Sequence, residues 1–214
     1  MSDPLFDLLS ATERPRALVV GDLMLDRLIW GRTEQPRAGE PFPVLRITRE
    51  EYRVGGAGGA AIRLAALGFR VRLVSVTGGD DRDRLVRQLL AEAGVGAQWV
   101  FPDPERVTTV REHFMGPVEG KLAEPILRVD RWDGVPVGQR LANELLHAVW
   151  DQLDLLDVIL VCDYGHGVCS GEFVPQLKAI AAAAGVEVID GRAVEARGPC
   201  ESEHNHPCSH AQPV

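Results

Sequence analysis

Three glycine-bearing segments, two of them with aspartates, hold the residues best suited to chemistry. VVGDLMLDRLIWG (19–31) runs a β-branched stretch into Gly21, with Asp22 and Asp26 following. Side chains just past the carboxyl ends of strands in an open parallel sheet stand where ligands bind. A carboxylate there offers oxygens that accept from sugar hydroxyls; the plainer alternative has Asp22 capping a turn and Asp26 solvated. In VGGAGGAAIRLAALG (54–68), Gly55 and Gly56 allow close approach to the main chain, and the helix that follows presents free N–H groups and a positive dipole end. VCDYGHGVCSGEF (161–173) ends another apolar run in Asp163 and sets His166 between two glycines, within reach of a ligand phosphate. LRVDRW (127–132) places Arg128 and Asp130 on one face of a strand, a pair that in isolation reads as a surface ion pair of little energetic weight.

Two other chemistries are suggested and weigh less. Gly56, Gly58 and Ala61 satisfy GxGxxA with Asp80 further on, the dinucleotide-binding fingerprint, but the strand before them is weak. A nicotinamide-dependent Rossmann enzyme therefore stands as an alternative. Cys200, His204, His206, Cys208 and His210 are competent metal ligands, yet their spacing matches no established zinc motif, and no metal site is assigned to them.

The elements that must position these residues follow from periodicity. ALVV (17–20), RVRLVSVTG (70–78), DVILVCD (157–163) and VEVID (186–190) read as core strands. Helical spacing recurs over 57–67, 82–93, 138–153 and 172–184, with Asp80 or Asp81 as the cap of the second helix. Strand and helix in alternation imply βαβ units, a largely parallel sheet and helices on both faces. Residues 25–54 and 107–131 instead alternate polar and apolar positions, which predicts exposed antiparallel strands in a small separate sheet. A boundary is expected near Arg192, with a disordered tail over 193–214, and Leu5, Leu8 and Leu9 suggest a short amphipathic helix at the start.

The 214 residues are 45% hydrophobic and 25% charged, with 23 basic and 31 acidic side chains and a net charge of −8. This acidic balance argues against bulk binding to nucleic acid or anionic membrane. No run has the apolar length of a membrane span, four unevenly spaced cysteines make no disulfide framework, and a cytoplasmic location is expected.

Taken together, VVGDLMLDRLIWG, VGGAGGAAIRLAALG, VTGGDD (76–81), LRVDR (127–131) and CDYGHGV (162–168) resemble, in order and spacing, the pfkB/ribokinase family of carbohydrate kinases, closest to its heptose-phosphate-kinase branch. The resemblance implies a ribokinase-like three-layer α/β/α fold with a small β-lid over the sugar, often shared in a homodimer. It also implies ATP-dependent, Mg²⁺-assisted transfer of a phosphoryl group to a sugar or sugar-phosphate hydroxyl. On this resemblance Asp22, Asp26, Gly55, Gly56, Asp130, Asp163 and His166 line the sugar pocket. Two positions and one absence depart from the family pattern: Gly59 stands where an asparagine is usual, His166 where the heptose kinases have lysine, and no GAGD-like turn with its anion hole and catalytic base occurs in the 214 residues. The expectation is therefore a partial kinase domain over 1–192, weak or inactive alone, with no catalytic residue assigned. A sheet stopping at VEVID would also leave an edge prone to self-association. A non-catalytic sugar-phosphate-binding or dimerising module is the rival reading.

Overall fold

The computed structural model describes residues 14–34, 44–116 and 124–191. The expected N-terminal helix, the boundary near Arg192 and the Cys/His-bearing tail lie outside them. The main sheet has the order β5-β4-β1-β8-β9 and every pairing in it is parallel. Its strands are β1 (Arg16–Gly21), β4 (Arg70–Thr77), β5 (Val100–Pro102), β8 (Val158–Cys162) and β9 (Glu187–Asp190). β1 is central, and its residues 17–20 are wholly buried, as a strand covered on both faces must be.

Alternation along β1 divides the core in two. Ala17 and Val19 face α1 (Gly56–Ala66) and α2 (Asp81–Glu92), meeting Ala61, Leu64, Val86 and Leu90. Leu18 and Val20 face α3 (Gln139–Trp150) and α4 (Phe173–Ala183), meeting Leu145, Val149, Val174 and Leu177. The result is the expected three-layer α/β/α arrangement. Asp80 is the cap of α2: its Oδ1 accepts from Asp83 N at 3.1 Å, filling one open donor of the first turn. It also accepts from Thr108 Oγ1 at 2.7 Å, which ties α2 to the segment leading into the second sheet. The edge strand β5 has no counterpart in the sequence reading, being three residues long and containing Pro102.

The second sheet is built from β2 (Leu23–Glu34), β3 (Val44–Gly55), β6 (Val110–Gly116) and β7 (Glu124–Arg131), in the order β3-β2-β6-β7. These are the lid strands expected over 25–54 and 107–131, with one correction. β2/β3 and β6/β7 are antiparallel, but the central pair β2/β6 is parallel, Leu25 opposite Val110 and Trp30 opposite Met115. The cause is connectivity: β2 leaves the main sheet straight after β1 and β6 after β5, so both run outward from the carboxyl edge in one direction and return as β3 and β7.

Candidate functional site

β1 and β8 end side by side, with Gly21 opposite Cys162. A Cβ on Gly21 would sit 2.0 Å from Cys162 O, and Gly21 adopts φ +146°, so only glycine fits between these strand ends. Asp22 follows and turns its carboxylate into the β8–α4 loop. Its Oδ2 accepts from Tyr164 N at 2.8 Å and His166 N at 3.1 Å, and its Oδ1 from Val168 N at 3.0 Å. Asp22 is 1% exposed. Its oxygens are directed to three main-chain donors, and it shapes the loop that carries His166. Asp163, one residue past β8, accepts from Gly165 N at 2.9 Å and makes the first turn of the same loop.

Asp26 lies two turns of the pleat further, at the base of the lid. Arg111 of β6 grips it in a fork, Nε to Oδ1 at 2.8 Å and Nη2 to Oδ2 at 3.1 Å, with both side chains less than one-fifth exposed. Gly55 makes room for this carboxylate, since a Cβ there would lie 2.4 Å from Asp26 Oδ2. Gly56 (φ +57°) lets the chain turn into α1 against Asp22 O, where a Cβ would stand at 2.1 Å, and Ala57 N donates to that oxygen at 2.8 Å. α1 has no side-chain cap and no acid in its first turn, so its dipole favours an oxygen-rich ligand there.

The register carries a row of alternating charge across the lid: Arg53 opposite Asp26, Asp26 opposite Arg111, Arg111 opposite Asp130. Asp130 receives both guanidinium nitrogens of Arg128, at 2.8 and 2.7 Å. That pair, with Arg111 and His166 nearby, holds the Asp130 carboxyl below the usual carboxylate range. His166 packs edge-on against Trp132, ring centroids 5.0 Å apart, and its Nδ1 is buried with no hydrogen-bond partner among the described residues. Burial pushes the imidazole below the ordinary 6.5 of histidine; Asp22 and Asp130 oppose that shift, and Arg111 and Arg128 reinforce it. Burial thus favours the neutral imidazole over the imidazolium.

The seven residues singled out from sequence thus gather at the carboxyl edge of the main sheet and the base of the lid. Arg111, whose guanidinium also lies 5.9 Å from the Tyr164 ring centroid, joins them unannounced. The only sequence signal for it was its place in the alternating stretch VTTVREHF. The dinucleotide fingerprint loses its context: α1 follows a lid strand and not a strand of the parallel sheet, and Asp80 is engaged as a cap. Among the described residues no three His, Cys, Asp or Glu side chains converge in a metal-holding set. Also among them, no helix is long and apolar enough to cross a membrane.

No family model matches the chain. Its sequence is 36% identical over 173 residues to the bifunctional protein HldE of Geobacter metallireducens, a match covering 81% of this chain and 34% of the relative. The chain thus spans about a third of the length of the curated relatives it matches. Among solved structures, a carbohydrate kinase from Agrobacterium tumefaciens superposes with a TM-score of 0.60 at 21% identity, over 82% of this chain and 53% of that one. Arabidopsis thaliana ribokinase, solved with ribose and ATP, superposes with a TM-score of 0.56 at 17% identity, over 83% and 53%. At these identities the structural likeness shows the fold, which is ribokinase-like.

Proposed function

The chain resembles the pfkB/ribokinase carbohydrate kinases in sequence and fold, and from that premise we propose that the cleft between lid and main sheet binds a sugar or sugar phosphate of the heptose-phosphate type. The observation that carries this reading is the fork of Arg111 on Asp26 beside Gly55 at the lid base. A carboxylate whose rotamer is fixed by a bidentate arginine loses little freedom when a hydroxyl docks on its remaining lone pairs. Asp130, Asp163 and His166 supply further acceptors or donors around the same opening, and Asp22 acts from beneath by setting the loop. Phosphoryl transfer from ATP would belong to the family reaction, in which the sugar hydroxyl gives its proton to a base as its oxygen takes the γ-phosphorus and ADP leaves. No residue of the 214 is assigned as that base, and the polypeptide tested alone is expected to bind sugar without transferring phosphate.

Calorimetry on the 214-residue chain tests this with heptose 7-phosphate, fructose 6-phosphate and ATP titrated separately. Sugar-phosphate binding that drops at least tenfold in Gly55→Ala, whose Cβ displaces Asp26, is the expected result. Absence of binding by any sugar phosphate would sink the reading, and robust ATP-dependent phosphorylation would overturn the inactive assignment. A dimerising module is favoured by the apolar side chains Ile47, Ile126 and Leu127, each exposed on the lid. Light scattering that shows a dimer, lost in Leu127→Asp, would support it, and a monomer at high concentration would exclude it.

A further inference from the structure

Arg106 lies in none of the segments that the sequence singles out, yet its guanidinium joins the chain returning from the lid to the loop after β8. It is almost fully enclosed, 8% exposed. Nη2 donates to His166 O at 2.7 Å, on the loop that Asp22 shapes. Nη1 donates to Val135 O, on the segment that returns from the lid to α3, and Asp133 of that segment lies 3.6 Å from Nη2. Around this fork the two backbones abut: Val137 N donates to Gly167 O at 3.0 Å, and a Cβ on Gly167 would stand 2.5 Å from Val135 O. Arg106 itself is fixed, because its N–H donates to Asp103 O at 3.1 Å and its carbonyl oxygen packs where a Cβ on Gly78 would be, 2.5 Å away.

The far side of this joint is not packed. A cavity of about 580 Å³, bordered by Pro102, Arg106, Val135 and Pro136, opens there. The hydrogen bonds of Arg106 therefore add to the Trp132–His166 ring contact in holding lid return and loop together at this point. We propose that Arg106 is a positioning residue, whose fork locks segment 133–135 to the 163–168 loop so that lid and loop move as one body. Asp22 grips the loop from below and Arg106 from above. The functional meaning rests on the sugar-site reading, but the test needs no ligand, so the two can fail separately.

The experiment compares ligand-free wild-type chain with Arg106→Ala and Arg106→Lys by amide hydrogen exchange. Trp132 emission, taken as the difference from Trp132→Phe, is followed against pH in parallel, because protonated His166 quenches the indole it touches. In Arg106→Ala, exchange is expected to rise at least tenfold both at 164–168 and at 132–137, with β1 and β4 unchanged and the pH-dependent quenching of Trp132 lost. Lysine keeps the charge without the planar fork and restores part of both signals. The proposal is overturned if exchange is unchanged, if it rises only within 103–109, if it rises uniformly through the main sheet, or if lysine behaves as alanine does.

Discussion

Asp22 does more for the site than its neighbours in the same motif, because one buried carboxylate serves three amides of a single loop. Hydrogen bonds to a charged group contribute about 1.5–3 kcal/mol each where they replace solvated ones, and a donor left unpaired in the interior adds to the loss. Asp22→Asn keeps the shape but substitutes an amide NH₂ for one accepting oxygen, facing it toward a main-chain donor. We expect a loss of about 2–4 kcal/mol in urea unfolding with an unchanged m-value. A change below about 0.5 kcal/mol would show that the loop is held by other contacts. These partners were unreadable from the sequence, since the amides lie 142 to 146 residues away and main-chain donors leave no trace in residue type. The positions of Asp22 and Asp163 were legible for the opposite reason: each follows a β-branched run whose end the sequence marks.

At the scale of elements, the lid is tied by charge where the main sheet is tied by burial. Glu112 of β6, 5% exposed, accepts from Arg27 of β2 at 2.7 Å and from Arg131 of β7 at 3.0 Å, stitching three strands. Burial alone would raise its carboxyl, but the hydrogen bonds from Arg27 and then Arg131 more than offset this and hold it below 4.5, the ordinary glutamate value. A depressed acid stabilises the fold fully above its unfolded value and less as pH falls through its folded one. Lid amides in β6 and β7 should therefore lose exchange protection below about pH 4.5, ahead of β1. Glu112→Gln should weaken the lid at pH 7 and flatten this acid dependence; an unaltered pH profile in the variant would refute the assignment. Helix and core-strand positions were predictable because periods of 3.6 and 2 register directly in residue order. The parallel partnership of β2 with β6 was not, because alternation says which face is buried and nothing about which strand lies alongside.

For the whole molecule, the two apolar layers are not independent: they share β1, whose Leu18 and Val19 belong to opposite cores. β1 in turn is flanked by β4, a short chain distance away, and by β8, just before which Asp157 meets Arg16 across 141 residues. That arrangement has a consequence for the order of events on the ribosome. When β1, β4 and their helices emerge, Asp22 has no loop to serve, and one side of β1 stays open until β8 has been made. At about 5–20 residues per second, the intervening stretch takes on the order of ten seconds to synthesise. Throughout that interval a nearly fully apolar strand edge and a carboxylate destined for burial are both exposed to solvent. A chain ending at residue 156 should accordingly show no cooperative unfolding transition and rapid proteolysis, whereas one that includes β8 and its loop should show both a transition and protection. If the shorter chain melts cooperatively, the N-terminal units close on their own and synthesis need not wait for the far strand.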